Sequence, residues 1–326
     1  MFKILITGVA GFIGSHTCVR LLNLGFDIVG IDNFHNSSHE VINSILKITN
    51  RKIVFYEADI RNSKKLCEIF KKEKPEAVIH FAGLKSVAES VEKPLEYYDN
   101  NVSGTICLCR VMEKFGIKKM IFSSSATVYE NSNPPFDEES QVSAPKNPYG
   151  KTKFTIEQIL FDLKDWDIAL LRYFNPIGAH ESGDLKESPL GIPNNLMPHI
   201  INTALGKMPF LTIFGNDYPT FDGTCVRDYI HVEDLSEGHS KALDFILNKK
   251  GIEVFNLGTG IGTSVLELIK IFEKTNKIKL KYKIGPRRLG DVAVCYALTE
   301  KSQNKLNWKP RFDIEKMCRD AWDAAL

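Results

Sequence analysis

Long apolar runs are missing from this sequence, and none reaches the length needed to cross a bilayer. Charge of one sign is missing too. A formal net charge of +2 gives no reason to expect nucleic acid or an anionic membrane surface as a partner. The lysines are scattered, and pairs such as Lys71-Lys72 read as solvated faces. The seven cysteines include no C-x-x-C pair and no Cys/His spacing suited to zinc, and Cys107 and Cys109 stand two apart. A disulfide framework and a metal site are thereby set aside. The thiols read as reduced and mostly buried, in a cytoplasmic protein. The opening Met1-Phe2-Lys3-Ile4-Leu5-Ile6 lacks signal-peptide organisation and reads as a strand. There is no internal repeat and no low-complexity tract. What remains is 326 residues of ordinary globular composition, enough for one large domain or two.

The first positive signal lies at the start. An apolar run over 2–7 is followed by Thr7-Gly8-Val9-Ala10-Gly11-Phe12-Ile13-Gly14, then by a helical pattern through Cys18, Val19, Leu21 and Leu22. Glycine suits this turn for three reasons: a tight bend, close approach of backbone to a pyrophosphate, and close helix–strand packing. The N–H groups opening the helix then face the phosphates. A second strand, Asp27-Ile28-Val29-Gly30-Ile31, ends in Asp32. An acid there suits a ribose 2′-hydroxyl and repels a 2′-phosphate, so NAD is expected over NADP. Further strands read over 52–57, 77–83 and 118–122, with a long helical stretch over about 94–116. Strands alternating with helices predict an α/β fold: a Rossmann-like, doubly wound parallel sheet with ligands at the carboxyl ends of its strands.

Tyr149 and Lys153 are spaced to share one helix face. A free phenol, with a pKa of about 10, must lose about 3 units, or about 4 kcal/mol, to act as a base at neutral pH. A cation ~4 Å away at an effective dielectric of ~20 is worth about that much. Tyr-x-x-x-Lys is common by chance as a surface pair, so its weight depends on company. Ser125, at the end of the 118–122 strand, supplies a hydroxyl that can bond a reacting oxygen, whereas Ser123 and Ser124 can serve the backbone alone. Residues 131–147, rich in Pro, Asn, Ser and acids, read as a surface loop leading to Tyr149. After Asn175-Pro176-Ile177-Gly178 regular periodicity fades, as in a binding region built from loops. Arg227 and Arg288 there are either surface charges or a clamp on a diphosphate. Residues 301–326 read as a closing segment with an amphipathic helix.

The G-x-x-G-x-x-G spacing resembles the extended short-chain dehydrogenase/reductase family. Nearly the whole chain is similar to its UDP-glucose 4-epimerases. The most specific stretches are His80 to Lys85, Lys93 to Asn101, Ser123 to Tyr129, Leu171 to Pro176, Gly191 to Pro198 and Phe214 to Thr220. The resemblance implies an NAD-binding domain over 1–175, to which some later segments return, and a smaller UDP-sugar-binding domain over 176–326. It implies NAD contacts at Gly8, Gly11, Phe12, Ile13, Gly14, Asp32, Asn33, Phe34, His35, Asn36, Asp59, Ile60, Phe81, Ala82, Gly83, Lys85, Asn100, Lys153 and Tyr173. Substrate contacts are implied at Lys85, Ser125, Ala126, Thr127, Tyr149, Phe174, Asn175, Asn194, Asn195, Leu196, Thr212, Ile213, Phe214, Arg227, Arg288, Asp291 and Cys295. Tyr149, Lys153 and Ser125 are the implied catalytic residues, Phe214 an aromatic face for uracil, and no metal is implied. A homodimer is implied as well, with the helices around 94–116 and 150–164 as contacts.

The implied reaction is redox-neutral. Tyr149 takes the proton of the hexose 4-hydroxyl, a hydride leaves carbon 4 for NAD, and a 4-keto sugar turns over before the hydride returns to its other face. Binding energy then belongs on the UDP. Four positions depart from the family pattern: Val9, Phe12, Glu130 and Leu289. At Cys295 a bulky tyrosine is the narrowing alternative in this family, so the N-acetylated UDP-hexoses are expected as substrates too. A 4,6-dehydratase needs carboxylates beside Thr127, where Ala126 and Val128 stand instead. A non-catalytic NAD-binding regulator would have no use for Ser125, Tyr149 and Lys153 together.

Overall fold

Seven strands form one parallel sheet. They are β1 (Lys3–Thr7), β2 (Asp27–Asp32), β3 (Val54–Glu57), β4 (Ala77–His80), β5 (Lys119–Ser125), β6 (Asp167–Tyr173) and, much later in the chain, Ile252–Leu257. The computed structural model describes residues 2–129, 133–142, 145–191, 193–288 and 290–326; Glu130 and Leu289, named above, part of the 131–147 loop and one residue of the Gly191 to Pro198 stretch lie outside these. Strand order is Ile252–Leu257, β6, β5, β4, β1, β2, β3, so the winding reverses between β1 and β4. At such a reversal the connections leave in opposite directions and open a crevice at the strands' carboxyl ends. Side chains alternate across the sheet. Ile4 and Ile6 join a core with helix Phe12–Asn23 and helix Val232–Asn248. Leu5, Val29 and Ile31 face the opposite core, with helices Ser63–Glu73, Gly104–Lys114 and Pro148–Phe161.

The expected long helix over 94–116 is broken. It runs as Pro94–Tyr97, then a π-helical turn Tyr98–Ser103, then Gly104–Lys114. The π turn inserts one residue where Asn100 and Asn101 lie, and such insertions collect at functional sites. Residues 133–142 are also more than a surface loop. Phe136 is buried and exchanges backbone bonds with the 296–298 segment, from Phe136 N to Tyr296 O (2.9 Å) and from Leu298 N to Phe136 O (2.7 Å).

After β6 the chain is more regular than its texture suggests. In chain order come β7 (Asn175–Ile177), β8 (Leu211–Phe214), β9 (Val226–His231), β10 (the sheet strand Ile252–Leu257), β11 (Gly262–Ser264), β12 (Tyr282–Gly285) and β13 (Val294–Cys295). β9 is the hub, pairing with β7, β11 and β13, while β8 pairs with β12. These strands pack with helices Leu196–Ala204, Val265–Asn276 and Ile314–Asp323 around their own apolar cluster, which holds Ile200, Ile213, Leu268 and Phe272. Strands of two to four residues are too short to print an alternating pattern. All seven cysteines are free, with Cys18, Cys109, Cys225 and Cys318 buried. Among the described residues no helix is long and apolar enough to cross a membrane, and no cluster of three His, Cys, Asp or Glu could hold a metal ion.

Candidate active site

The glycine turn after β1 is shaped by contacts that exclude side chains. Gly8 is left-handed (φ +72), and its N–H donates to Ile31 O at 2.7 Å. A Cβ on Gly8 would stand 2.8 Å from Ala82 N, and one on Gly14 only 2.1 Å from Gly8 O. Helix Phe12–Asn23 then opens with Gly11 as its cap, no side-chain cap and no acid in its first turn. Those N–H groups and the bare turn fit a dinucleotide diphosphate. Phe12 and Ile13 are the first residues of that helix.

Asp32 ends β2 with its carboxylate largely buried. Oδ2 accepts from Ala10 N (2.9 Å), while Oδ1 accepts from Phe34 N and Ser37 Oγ (both 2.9 Å). The acid therefore ties the glycine turn to the 33–37 turn and keeps acceptor capacity on both oxygens. Asn33 donates to Asp59 (3.2 Å) and accepts from His35 N (3.1 Å), and Arg61 beside Asp59 holds its carboxyl down at about 2. Asn36 accepts from Leu190 N at 3.0 Å. Ile60 is buried beneath Gly104, where an added Cβ would lie 2.6 Å from its Cδ1, so its side chain packs in the core. Phe81, Ala82 and Gly83 follow β4, and the Phe81 ring lies 4.8 Å from the His239 ring.

β5 and β6 bring the chemistry together. Ser125 and Tyr173 are directly paired in their ladder. A 3-10 turn, Ala126–Val128, closes over Ser125, and the Thr127 N–H and hydroxyl both donate to Ser125 Oγ (3.2 and 3.0 Å). Helix Pro148–Phe161 starts sharply: Asn147 caps Gly150 N–H at 2.8 Å and Pro148 fits the first turn. Tyr149 is partly buried, and Ser125 is near enough to its phenol to oppose the effect of burial on it. Lys153 is 5% exposed, donates to Ser123 O at 2.6 Å and lies 4.9 Å from the Phe122 ring centre.

The electrostatics differ from the sequence expectation. Burial raises the Tyr149 pKa, with the Ser125 hydrogen bond opposing. The Lys153 ammonium points at Ser123 O and the Phe122 face. Burial also brings Lys153 down to about 8, opposed by the Glu157 carboxylate one turn on. The protein's own groups thus hold Tyr149 protonated, and a phenolate there needs further positive charge.

Several positioning residues were not legible in the sequence. Glu157 forms a buried two-point pair with Arg172 (3.0 and 2.7 Å) and accepts from Ser124. Arg172 also donates to the Tyr129 hydroxyl at 2.9 Å, which in turn donates to Asn256 at 2.6 Å. Asn101 joins three segments: its amide accepts from Leu84 N (2.8 Å) and Asn100 Nδ2 (3.0 Å), and donates to Leu84 O and Thr152 Oγ1 (both 3.0 Å). The Tyr173 hydroxyl donates to His239 Nε2, because His239 Nδ1 is occupied by Leu235 O at 2.8 Å.

In the second half, Arg227 and Arg288 do converge. Both reach Asp291: Arg288 through two bonds of 3.2 and 3.1 Å, Arg227 across 3.7 Å. The Arg288 guanidinium lies 5.6 Å from the half-exposed Phe214 ring. Thr212 shares the Phe214 face of β8, whereas Ile213 points into the core and has only backbone to offer a ligand. Phe174 and Ala126 are buried in one cluster, against which Cys295 packs, so Cys295 stands beside the Ser125 turn. Burial pushes the Cys295 thiol up to about 11. Asn175 opens β7 opposite Tyr229. Asn194 precedes Asn195, the cap of helix Leu196–Ala204, whose side chain donates to Glu187 at 2.5 Å. Lys85 donates to that same carboxylate at 3.0 Å.

A doubly wound sheet with a glycine cradle, and with Ser, Tyr and Lys meeting at the end of β5, defines a dinucleotide-dependent enzyme of the Rossmann class. The chain belongs to the NAD dependent epimerase/dehydratase family, whose profile matches residues 4–258, from β1 to just past β10. It is 54% identical to a UDP-glucose 4-epimerase of Bacillus subtilis (strain 168), over 98% of this chain and 95% of that one. A UDP-glucose 4-epimerase of Pasteurella multocida (strain Pm70) is 50% identical, over 98% and 96%. The solved UDP-glucose 4-epimerase of Bifidobacterium longum, in complex with NAD+ and UDP, superposes with a TM-score of 0.96 at 47% identity, covering 99% of this chain and 97% of that one.

Proposed function

We infer that the chain interconverts UDP-galactose and UDP-glucose at hexose carbon 4, with NAD held throughout. The observation that carries this reading is the meeting of Ser125, Tyr149 and Lys153 beside the glycine cradle, in a chain similar to UDP-glucose 4-epimerases over its whole length. NAD supplies a reversible hydride acceptor at its nicotinamide.

The chain's residues do the rest. The Tyr149 phenol oxygen exchanges a proton with the sugar 4-hydroxyl, and the neighbouring Ser125 hydroxyl orients that group. Lys153, a buried cation one turn on, holds the cofactor and adds positive charge to the site. Arg227 and Arg288 take the diphosphate, exchanging Asp291 for phosphate oxygens. Phe214 offers a face to uracil. Binding concentrated on UDP leaves the 4-keto hexose free to turn between half-reactions.

The division of labour follows the chain, with 1–175 and the returning β10 serving NAD and 176–326 serving UDP-sugar. The protein works in the cytoplasm as a homodimer, its contact formed by the helices around 94–116 and 150–164. The exposed apolar side chains Val91, Leu95 and Phe161, on or beside those helices, support that face. Cys295, far smaller than tyrosine and beside the Ser125 turn, leaves room for an N-acetyl group at carbon 2.

Incubating the protein with UDP-galactose and with UDP-N-acetylgalactosamine, and reading product mass and configuration, tests the reaction and its substrate range. Conserved mass with inversion at carbon 4 is the expected result for both pairs. Loss of one water would instead make it a dehydratase. Turnover of UDP-galactose alone would remove the Cys295 claim.

A further inference from the structure

Glu187 is assigned to nothing above, yet it sits where the two sides of the cleft meet. Its side chain is 9% exposed. One oxygen, Oε1, accepts from the Lys85 ammonium at 3.0 Å and from the Asn195 amide at 2.5 Å. The other, Oε2, is buried and has no partner among the described residues. A sealed acceptor without a donor is costly, and a hydroxyl arriving with a ligand, or a water, relieves it. Lys85 follows β4, on the cofactor side, and Asn195 caps helix Leu196–Ala204, on the nucleotide side.

We propose that Glu187 is a positioning residue that couples the two ligand sites by holding Lys85 and Asn195 in their binding geometry. This rests on the reading of Lys85 and Asn195 as ligand contacts.

The chemistry is specific at both ends. An ionised carboxylate only accepts, so its bond from Asn195 Nδ2 settles which way the amide points and turns Oδ1 away from Glu187. Asparagine is ordinarily a strong helix cap through Oδ1, yet this one makes no side-chain cap bond; Pro198 in the first turn has no N–H to offer it. The carbonyl oxygen is thus kept for something other than its own helix. Lys85 is 45% exposed and its long stem is free to sweep many rotamers; the carboxylate selects one. Glu187 is itself fixed from behind. Leu185 lies in the main core, Ala179 and Lys186 form an antiparallel bridge, and Leu190 N is bonded to Asn36 at 3.0 Å. That last bond ends on the loop expected to hold NAD, so one short segment touches cofactor loop, Lys85 and Asn195 together.

The test uses the intact holoenzyme and two variants, Glu187→Gln and Glu187→Ala. Glutamine keeps shape and one acceptor but loses the charge and the two-donor acceptance. The expected result is that both variants weaken UDP binding by calorimetry, and raise KM for UDP-galactose, by about 5- to 20-fold, a typical coupling between sites. In both, kcat stays within about twofold and the thermal melt of the glutamine variant is unchanged. Bound NAD should also exchange faster, since Lys85 loses its anchor. A glutamine variant that matches wild type in KM and exchange overturns the proposal, because space-filling then suffices. Tighter UDP binding in either variant overturns it as well, because the carboxylate would then be competing with the ligand. If wild type neither binds UDP nor turns over UDP-galactose, it is the functional reading that fails, before any variant is made.

Discussion

The cofactor side of the cleft is positioned by backbone, and the nucleotide side by side chains. Gly8, Gly11 and Gly14 bring main chain so near to main chain that a single Cβ on Gly14 would overlap Gly8 O at 2.1 Å. Across the cleft, Arg227, Arg288 and Asn195 bond to the carboxylates of Asp291 and Glu187, and Glu187 also takes Lys85 from the cofactor side. Three glycines there, Gly191, Gly206 and Gly290, have nothing within 4 Å of an added Cβ, while Gly223, whose Cβ would stand 2.1 Å from Asn216 O, is a tight turn away from the ion pairs. A backbone-built site is exact and brittle. A site built from ion pairs tolerates change and can exchange partners with its ligand, which suits a substrate that must enter, turn and leave.

The largest expected effect tests the chemistry both halves serve. Tyr149→Phe should lower kcat by about 10³-fold, within the range for loss of a positioned acid–base group, with UDP affinity kept. Near-normal turnover of UDP-galactose would dismiss Tyr149 as the proton carrier. Next, Gly14→Ala should cost roughly 3 kcal/mol of stability or more and strip bound NAD, read by melting and by nucleotide content after purification.

Acid should then act on the same half. His16, His80 and His239 are held neutral by burial, at about 3, 3 and 4 against an ordinary 6.5. The unfolded chain binds the extra protons below pH 6.5, so stability is full above that pH and falls as pH drops toward 4. Each histidine contributes a slope of about 1.4 kcal/mol per pH unit. Hydrogen exchange should show β1, β4 and the helix Val232–Asn248 losing protection before the paired β8 and β12. Simultaneous loss would erase the contrast between the halves. The smallest effect belongs to Gly206→Ala, where φ is +71 but space is open, at about 1 kcal/mol, measured by denaturant melting.

Much of the first half was legible because its geometry is local. Strand, glycine turn, helix and terminal acid follow in sequence, and Tyr149 and Lys153 are neighbours by helical spacing alone. Arg227 and Arg288 were left open as surface charges or a clamp, and Asp291 brings them together. What sequence could not give were contacts between remote residues: Glu157 with Arg172, Asn101 with Thr152, and Glu187 with Lys85. The direction of the Tyr149 shift also escaped, since it depends on how deeply the phenol is buried and on where Lys153 points. The short strands β7, β11 and β13 carry too few residues for an alternating pattern.

The π turn Tyr98–Ser103 has a consequence for inheritance rather than catalysis. It is one residue more than a plain α-helix would hold, and each residue turns a helix by about 100°. A one-codon deletion within it would leave composition, core and sheet almost untouched while swinging Asn100 and Asn101 out of register with Leu84 and Thr152. A change of length there therefore reaches the cleft by a route that no substitution on the helix surface would take.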